Sequence, residues 1–221
     1  MFKIAKFKLG LETTSPLLIP DTSYTKSLLH SYDLIAIQKD SKYIIPATSL
    51  KGKLKYLFAI KHGFGGTSLK DLEELPATLT DVFFNWVNVF GCGADLMMNL
   101  SKKGKLEAVK SKLKIPARVF FNDLVSTKEI NKEAPFENKT SVSIDRFSLK
   151  ANDGSLLQFA CVPRNTPFEG VIEILYKNDE ELKSYVAILK ESLEMLNTDY
   201  LGRGGSRGMG RVKVLSFSKE E

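Results

Sequence analysis

The stretch Leu201-Gly-Arg-Gly-Gly-Ser-Arg-Gly-Met-Gly-Arg211 constrains this chain more than any other. Five of its eleven residues are glycine, three are arginine and none is acidic. An amphipathic segment, Asp179–Tyr200, runs into it, and Val212–Phe217 leaves it with the alternation of a strand. Glycine reaches positive φ and lets a backbone approach a ligand closely. The interleaved arginines add charge and planar donor forks that suit phosphate. A helix, a glycine loop and a strand in this order present amides and guanidiniums to a polyanion. The loop is not a P-loop, which ends in Gly-Lys-Ser/Thr and opens a helix. It is not a Rossmann turn either, because it closes a helix rather than opening one.

At 221 residues the chain can form one domain with insertions or two small ones. Its 43% hydrophobic content is enough for a core. No apolar run reaches bilayer length, and Met1-Phe-Lys-Ile-Ala-Lys6 lacks the apolar centre of a signal peptide. The expectation is a soluble, cytoplasmic protein. A net charge of +6 favours a nucleic-acid partner. Cys92 and Cys161 have no second Cys or His at ligand spacing, so they read as free buried thiols rather than zinc ligands or a disulfide.

Along the chain, Phe2–Leu11 alternates and reads as a half-buried strand. Residues 13–31 form an irregular excursion rich in Ser, Thr and Pro. Leu34–Ile37 and Tyr43–Ile45 predict a short hairpin. A helix starts after Pro46 with Thr48 or Ser49 as N-cap and stops at Gly63. Leu50, Leu54, Leu57 and Phe58 form its apolar stripe. At about 100° per residue, Lys51, Lys55 and His62 share another face. Leu79–Phe90 reads as an aromatic helix with Trp86 in the core, 102–114 as a loose basic stretch, and Arg118–Asp123 as a strand. Thr127–Thr140 reads as a mobile loop. Thr140–Arg146 and Ser155–Cys161 flank the turn signal Ala151–Gly154 and predict a hairpin. Phe168–Lys177 follows as a strand, then a long helix capped at Asn178–Glu181. Stripped of insertions at 63–114 and 127–162, the order is βαββαβ. The fold class is α+β with a ferredoxin-like (RRM-like) core. The aromatic stacking signature of an RNA-recognition motif is missing, so RNA contacts should come from loops and insertions.

Three segments together resemble the RAMP superfamily, specifically the repeated backbone subunit of type III CRISPR effector complexes. They are Ile45-Pro-Ala-Thr-Ser-Leu-Lys-Gly-Lys-Leu-Lys55, Ser143-Ile-Asp-Arg146 and the glycine loop. The resemblance covers most of the chain and implies a single RAMP domain over 1–221. In it, 63–114 is a helical and irregular insertion and 127–162 a β-hairpin thumb. Such subunits stack along a CRISPR RNA, and each thumb wedges into the guide–target duplex. The implied partners are CRISPR RNA, target RNA, other copies or paralogues of the chain and other type III effector subunits, with no membrane.

By the same resemblance, Thr48, Ser49, Lys51 and Lys55 contact RNA from the helix start, and Arg146 does so from the thumb. Gly202, Gly204, Gly205, Ser206, Arg207 and Gly208 contact it from the loop. In the cutting members an Asp between the first strand and first helix cleaves target RNA with a divalent metal. Counting back from Ile45-Pro46 places that role on Asp33, with Asp21 as the competing carboxylate. The implied ion is Mg2+ or Mn2+, held by Asp33 through water and substrate phosphate. The chain departs from the family pattern at Thr14–Pro20, Ala47 and Ile35, which bears on catalysis more than on fold. Two alternatives stay open. One is a non-catalytic structural paralogue of the filament. The other is a metal-independent endonuclease that processes precursor RNA with a histidine, for which His30 lies in the right region.

Overall fold

The computed structural model describes residues 1–21, 32–64, 77–91, 112–114 and 116–220, with backbone alone for 77–80. In chain order its strands are β1 (Lys3–Thr13), β2 (Leu34–Ile35), β3 (Gln38–Lys39), β4 (Lys42–Ile45), β5 (Val119–Phe121) and β6 (Leu124–Ser126). The later strands are β7 (Glu137–Ser141), β8 (Leu157–Cys161), β9 (Pro167–Tyr176) and β10 (Val212–Lys219). Its α-helices are α1 (Ala47–Lys61), α2 (Ala77–Phe90) and α3 (Asp179–Leu196).

β1 is an inner strand of the main sheet, and its residues alternate between buried and exposed from Ala5 to Leu9. Ala5, Phe7, Leu9 and Leu11 are buried while the lysines between them face outward. It pairs antiparallel with β9 along one edge and with β10 along the other. The main sheet runs β10-β1-β9-β6-β4-β3, and β5 also pairs with β9. In terms of the βαββαβ core, the fourth strand lies next to the first, then the third, then the second, all antiparallel. That is the ferredoxin-like arrangement. α1 and α3 pack on each other, and α3 packs on β9 and β10. Leu50, Leu54 and Phe58 of α1 meet Tyr185, Leu189 and Leu193 of α3 in one core with Leu9, Leu11 and Ile172. Full burial of each such leucine contributes about 2 kcal/mol.

Long-range contacts redraw several boundaries. The strand expected at Arg118–Asp123 shortens to β5, and a further strand, β6, starts just after Asp123. Asp123 Oδ1 accepts the Ala47 N–H at 2.7 Å. The N-cap of α1 is therefore Pro46, whose carbonyl takes the Ser49 and Leu50 N–H groups, and neither Thr48 nor Ser49 caps it. A proline has no side-chain acceptor, so the first-turn donor is satisfied from across the chain. The hairpin near residue 40 is β3–β4, turning at Asp40 and Ser41, both with positive φ. Leu34 and Ile35 instead pair in parallel with β8. α3 ends at Leu196, short of Tyr200.

A second, three-stranded sheet, β2-β8-β7, forms the foot of the thumb. β7 occupies the end of the stretch expected to be a loop, and it pairs Glu137 with Cys161 through Ser141 with Leu157. The tip turn is 145–150, closed by Asp145 N–H to Lys150 O at 2.8 Å and an Ile144–Ala151 bridge. Ala151–Gly154 is a smaller turn behind it. Cys161 is a buried free thiol, its pKa pushed up to about 12 by burial. Cys92 lies outside the described residues, as do most of the 63–114 insertion and the basic stretch apart from 112–114. Among the described residues no helix is long and apolar enough to cross a membrane.

Candidate RNA interface and carboxylate

The glycine loop folds back on the segment that follows β1. Arg203 N–H donates to Leu18 O and Gly210 N–H to Pro16 O, both at 2.8 Å, while Leu201 N–H closes the loop on Gly210 O at 2.8 Å. Gly210 has φ +75°, and a Cβ there would strike the Leu201 carbonyl. Gly205 begins a short 3-10 turn, Gly205–Arg207, and packs so closely on Tyr200 that a Cβ would enter its ring. These glycines give the loop its shape. Ser206, Arg207 and Gly208 are exposed at its crest. Arg207 Nη1 also donates to Ser141 Oγ at 2.9 Å, so the loop touches the thumb foot.

Asp33 stands at the same foot, on the residue before β2. Its N–H donates to Gln158 O at 2.8 Å, and its Oδ2 accepts the Gln158 N–H at 2.7 Å. This two-point clasp fixes the carboxylate to β8. A cleft of about 350 Å³ opens beside it, lined by Leu34, Leu157, Phe159, Arg203, Arg207 and Met209. The strand next to Asp33, the thumb and the glycine loop thus share one concavity. Asp21 sits on the other side of β2, its N–H on Ile35 O at 2.9 Å. Among the described residues no group of three or more His, Cys, Asp or Glu side chains could cage an ion. A single fixed carboxylate fits a hydrated Mg2+ or Mn2+ whose other ligands are waters and substrate oxygens.

The α1 residues divide. Thr48 is exposed, while Ser49 and Lys51 are half-exposed, and Lys51 makes no ion pair with another described residue. Lys55 is tied into the α1–α2 contact. Its Nζ donates to Gly91 O at 2.8 Å and lies 5.2 Å from the Trp86 ring centre, and Trp86 Nε1 donates to Lys55 O at 3.1 Å. His62, expected on the same face, instead reaches Glu191 of α3 at 2.9 Å and stacks on Phe58. Burial opposes ionisation of Glu191, but bonds from Lys61 and His62 outweigh it and hold its pKa below the usual carboxylate value. His30 lies outside the described residues.

Arg146 is exposed at the thumb tip among apolar neighbours, with Phe147 99%, Leu149 80% and Ile144 58% exposed. Asp145 organises this turn, its Oδ1 accepting the Phe147 and Ser148 N–H groups at 2.8 and 2.7 Å.

One functional link was missed in the sequence. Lys53, on the opposite side of α1 from Lys51, pairs with Asp199 at 3.0 Å and lies 4.0 Å from the centre of the Tyr200 ring. It joins α1 to the residue that shapes the glycine loop at Gly205. The Leu-Lys-Gly-Lys-Leu-Lys run signals basic character but not which lysine turns inward.

The fold, the glycine loop that follows a helix C-terminus and the hairpin beside a carboxylate define a member of a known class. Residues 10–213 match the RAMP superfamily, and the chain belongs to it. Its relatives include the CRISPR system Cms endoribonuclease Csm3 of Streptococcus thermophilus, 27% identical over 76% of this chain and 67% of the relative. The protein of the same name from Enterococcus italicus is 30% identical over 78% of this chain and 71% of the relative. That of Mycobacterium tuberculosis is 29% identical over 77% and 68%.

Proposed function

We propose that this chain is a guide-RNA-binding backbone subunit of a type III CRISPR interference complex, and that it cleaves bound target RNA at Asp33. The observation that carries the reading is the shared cleft. The glycine loop, the strand next to Asp33 and thumb strand β8 line one concavity, and Arg207 bridges loop to thumb. The names of the relatives, endoribonucleases of a CRISPR system, point the same way.

Exposed Arg203 and Arg207, together with Lys51, hold the guide backbone through phosphates, which fixes register without reading sequence. The thumb tip offers Phe147, Leu149 and Ile144 for stacking between nucleotides, with Arg146 beside them. Asp33, clasped to Gln158, is held at the thumb foot and would bind Mg2+ or Mn2+ through water and a substrate phosphate. That ion would stabilise charge at the scissile phosphate. Copies of the chain, or paralogues, stack along the guide in the cytoplasm with other type III subunits.

The test is purification of the complex from its host with sequencing of the RNA that comes with it. Metal-dependent cleavage of a complementary RNA is then compared for wild type and Asp33→Ala. Co-purified CRISPR RNA and a cut lost only in the variant support the reading. A complex without CRISPR RNA sinks it. A wild type that carries the guide but does not cut leaves the structural-paralogue alternative.

A further inference from the structure

A second cleft, of about 290 Å³, lies between the glycine loop and the thumb foot. Its walls carry Lys139 of β7, Arg164 just beyond β8 and Arg207 of the loop, with the hydroxyls of Ser15, Thr140 and Ser141. Two of these cations converge on one acid. Glu137 Oε1 accepts from Arg164 Nη2 at 2.7 Å. Its Oε2 accepts from Arg164 Nε at 3.3 Å and from the Arg164 backbone N–H at 3.2 Å. Lys139 Nζ stands 3.7 Å from Oε1. Two guanidinium donors, a backbone N–H and an ammonium form the donor set that a phosphate takes. One carboxylate against three cations leaves the cleft with a positive excess. Arg207 lines the same cleft as these cations, so a strand held by the loop would run beside them.

We propose that this cleft is a phosphodiester subsite for the RNA strand, in which Glu137 stands in for a phosphate and is displaced from Arg164 when RNA enters. The subsite rests on the RNA-binding reading above. The acid keeps the cations extended and ordered before RNA arrives, so less side-chain freedom is lost on binding. It also competes with RNA for them, so it lowers affinity.

Binding of the full chain to a labelled single-stranded RNA of mixed sequence, measured across a KCl series, tests this. Each phosphate contact on a single strand contributes about 0.7 to the slope of log affinity against log salt. Arg164→Ala should bind about tenfold more weakly at low salt and lose about 0.7 of slope. Lys139→Ala should lose a similar slope, Arg164→Lys should keep it, and Glu137→Gln should bind several-fold more tightly. A urea midpoint for each variant separates lost contacts from lost folding, and Arg164→Lys carries the test if Arg164→Ala fails to fold. A wild-type slope and affinity in folded Arg164→Ala overturns the subsite while leaving the RNA-binding reading intact. Weaker binding in Glu137→Gln overturns the displacement, because the acid would then be needed to hold the cations in place. Failure of the wild-type chain to bind RNA at all removes the reading on which both depend.

Discussion

At the scale of single residues, the glycine loop separates shape from contact. Gly205 has no room for a side chain against Tyr200, and Gly210 needs its positive φ against Leu201. Gly205→Ala should destabilise the fold by about 2 kcal/mol or more, read from urea unfolding, and weaken RNA binding with it. Arg207→Ala should weaken RNA binding with a shallower salt slope, since the proposed function gives it a phosphate contact.

The two lysines expected to act together on α1 should part ways. Lys51→Ala should reduce the salt slope of RNA binding by about 0.7 with stability unchanged. Lys55→Ala should instead cost about 1 kcal/mol of stability, because its ammonium holds the Gly91 carbonyl beyond the C-terminal end of α2. Paired salt-slope and urea measurements on both variants check this. Sequence spacing put Lys51 and Lys55 on one face correctly. What it lacked was Gly91, 36 residues away, which turns one of them inward. The same holds for Lys53, whose partner Asp199 is brought in only by the end of α3.

At the scale of elements, helices and long strands were legible because their apolar period is local. The stripe Leu50, Leu54, Leu57, Phe58 packs as its spacing implied, and the amphipathic segment from Asp179 puts its apolar residues, Leu182 to Leu196, against the same core. The thumb was legible as a hairpin but not in its register. β7 begins inside Glu137-Asn-Lys-Thr, a polar run without alternation, and is strand only because β8 lies beside it. The β2–β8 pairing, which fixes Asp33, joins residues some 125 apart in sequence and leaves no local trace. The cap of α1 is another tertiary device. Asp123→Ala should destabilise the fold by about 1 kcal/mol, read from the urea midpoint, whereas Thr48→Ala should not.

The thumb tip carries a pH dependence. Backbone N–H groups of Ser148 and Phe147, then the Ser148 hydroxyl, hold the Asp145 carboxyl below the ordinary carboxylate range. A depressed pKa means these contacts are fully present above the unfolded value near about 3.9. They are lost as pH falls through the folded one. Protection of the Phe147 and Ser148 amides, taken as exchange relative to the intrinsic rate at the same pH, should therefore fall at acid pH before that of the β1–β9 amides.

At the scale of the whole molecule, the chain is polarised. A buried two-helix layer supports the sheet, and the chemistry gathers where β1 ends, the loop folds back and the thumb departs. Arg203, Arg207, Arg164 and Lys139 line that end, and Asp33 stands just before β2, whose Leu34 lines the same cleft as Arg203 and Arg207. In the reading proposed above, the loop and its neighbours bind RNA and the carboxylate cuts it. Binding and cutting should therefore separate cleanly by mutation. The direct test loads wild-type and Asp33→Ala complexes with guide, then measures target affinity and Mg2+-dependent cleavage in the same samples. The account predicts equal target affinity, with cleavage present in wild type and lost in Asp33→Ala. Undiminished cleavage by Asp33→Ala, or cleavage that persists in EDTA and disappears in His30→Ala, would contradict it.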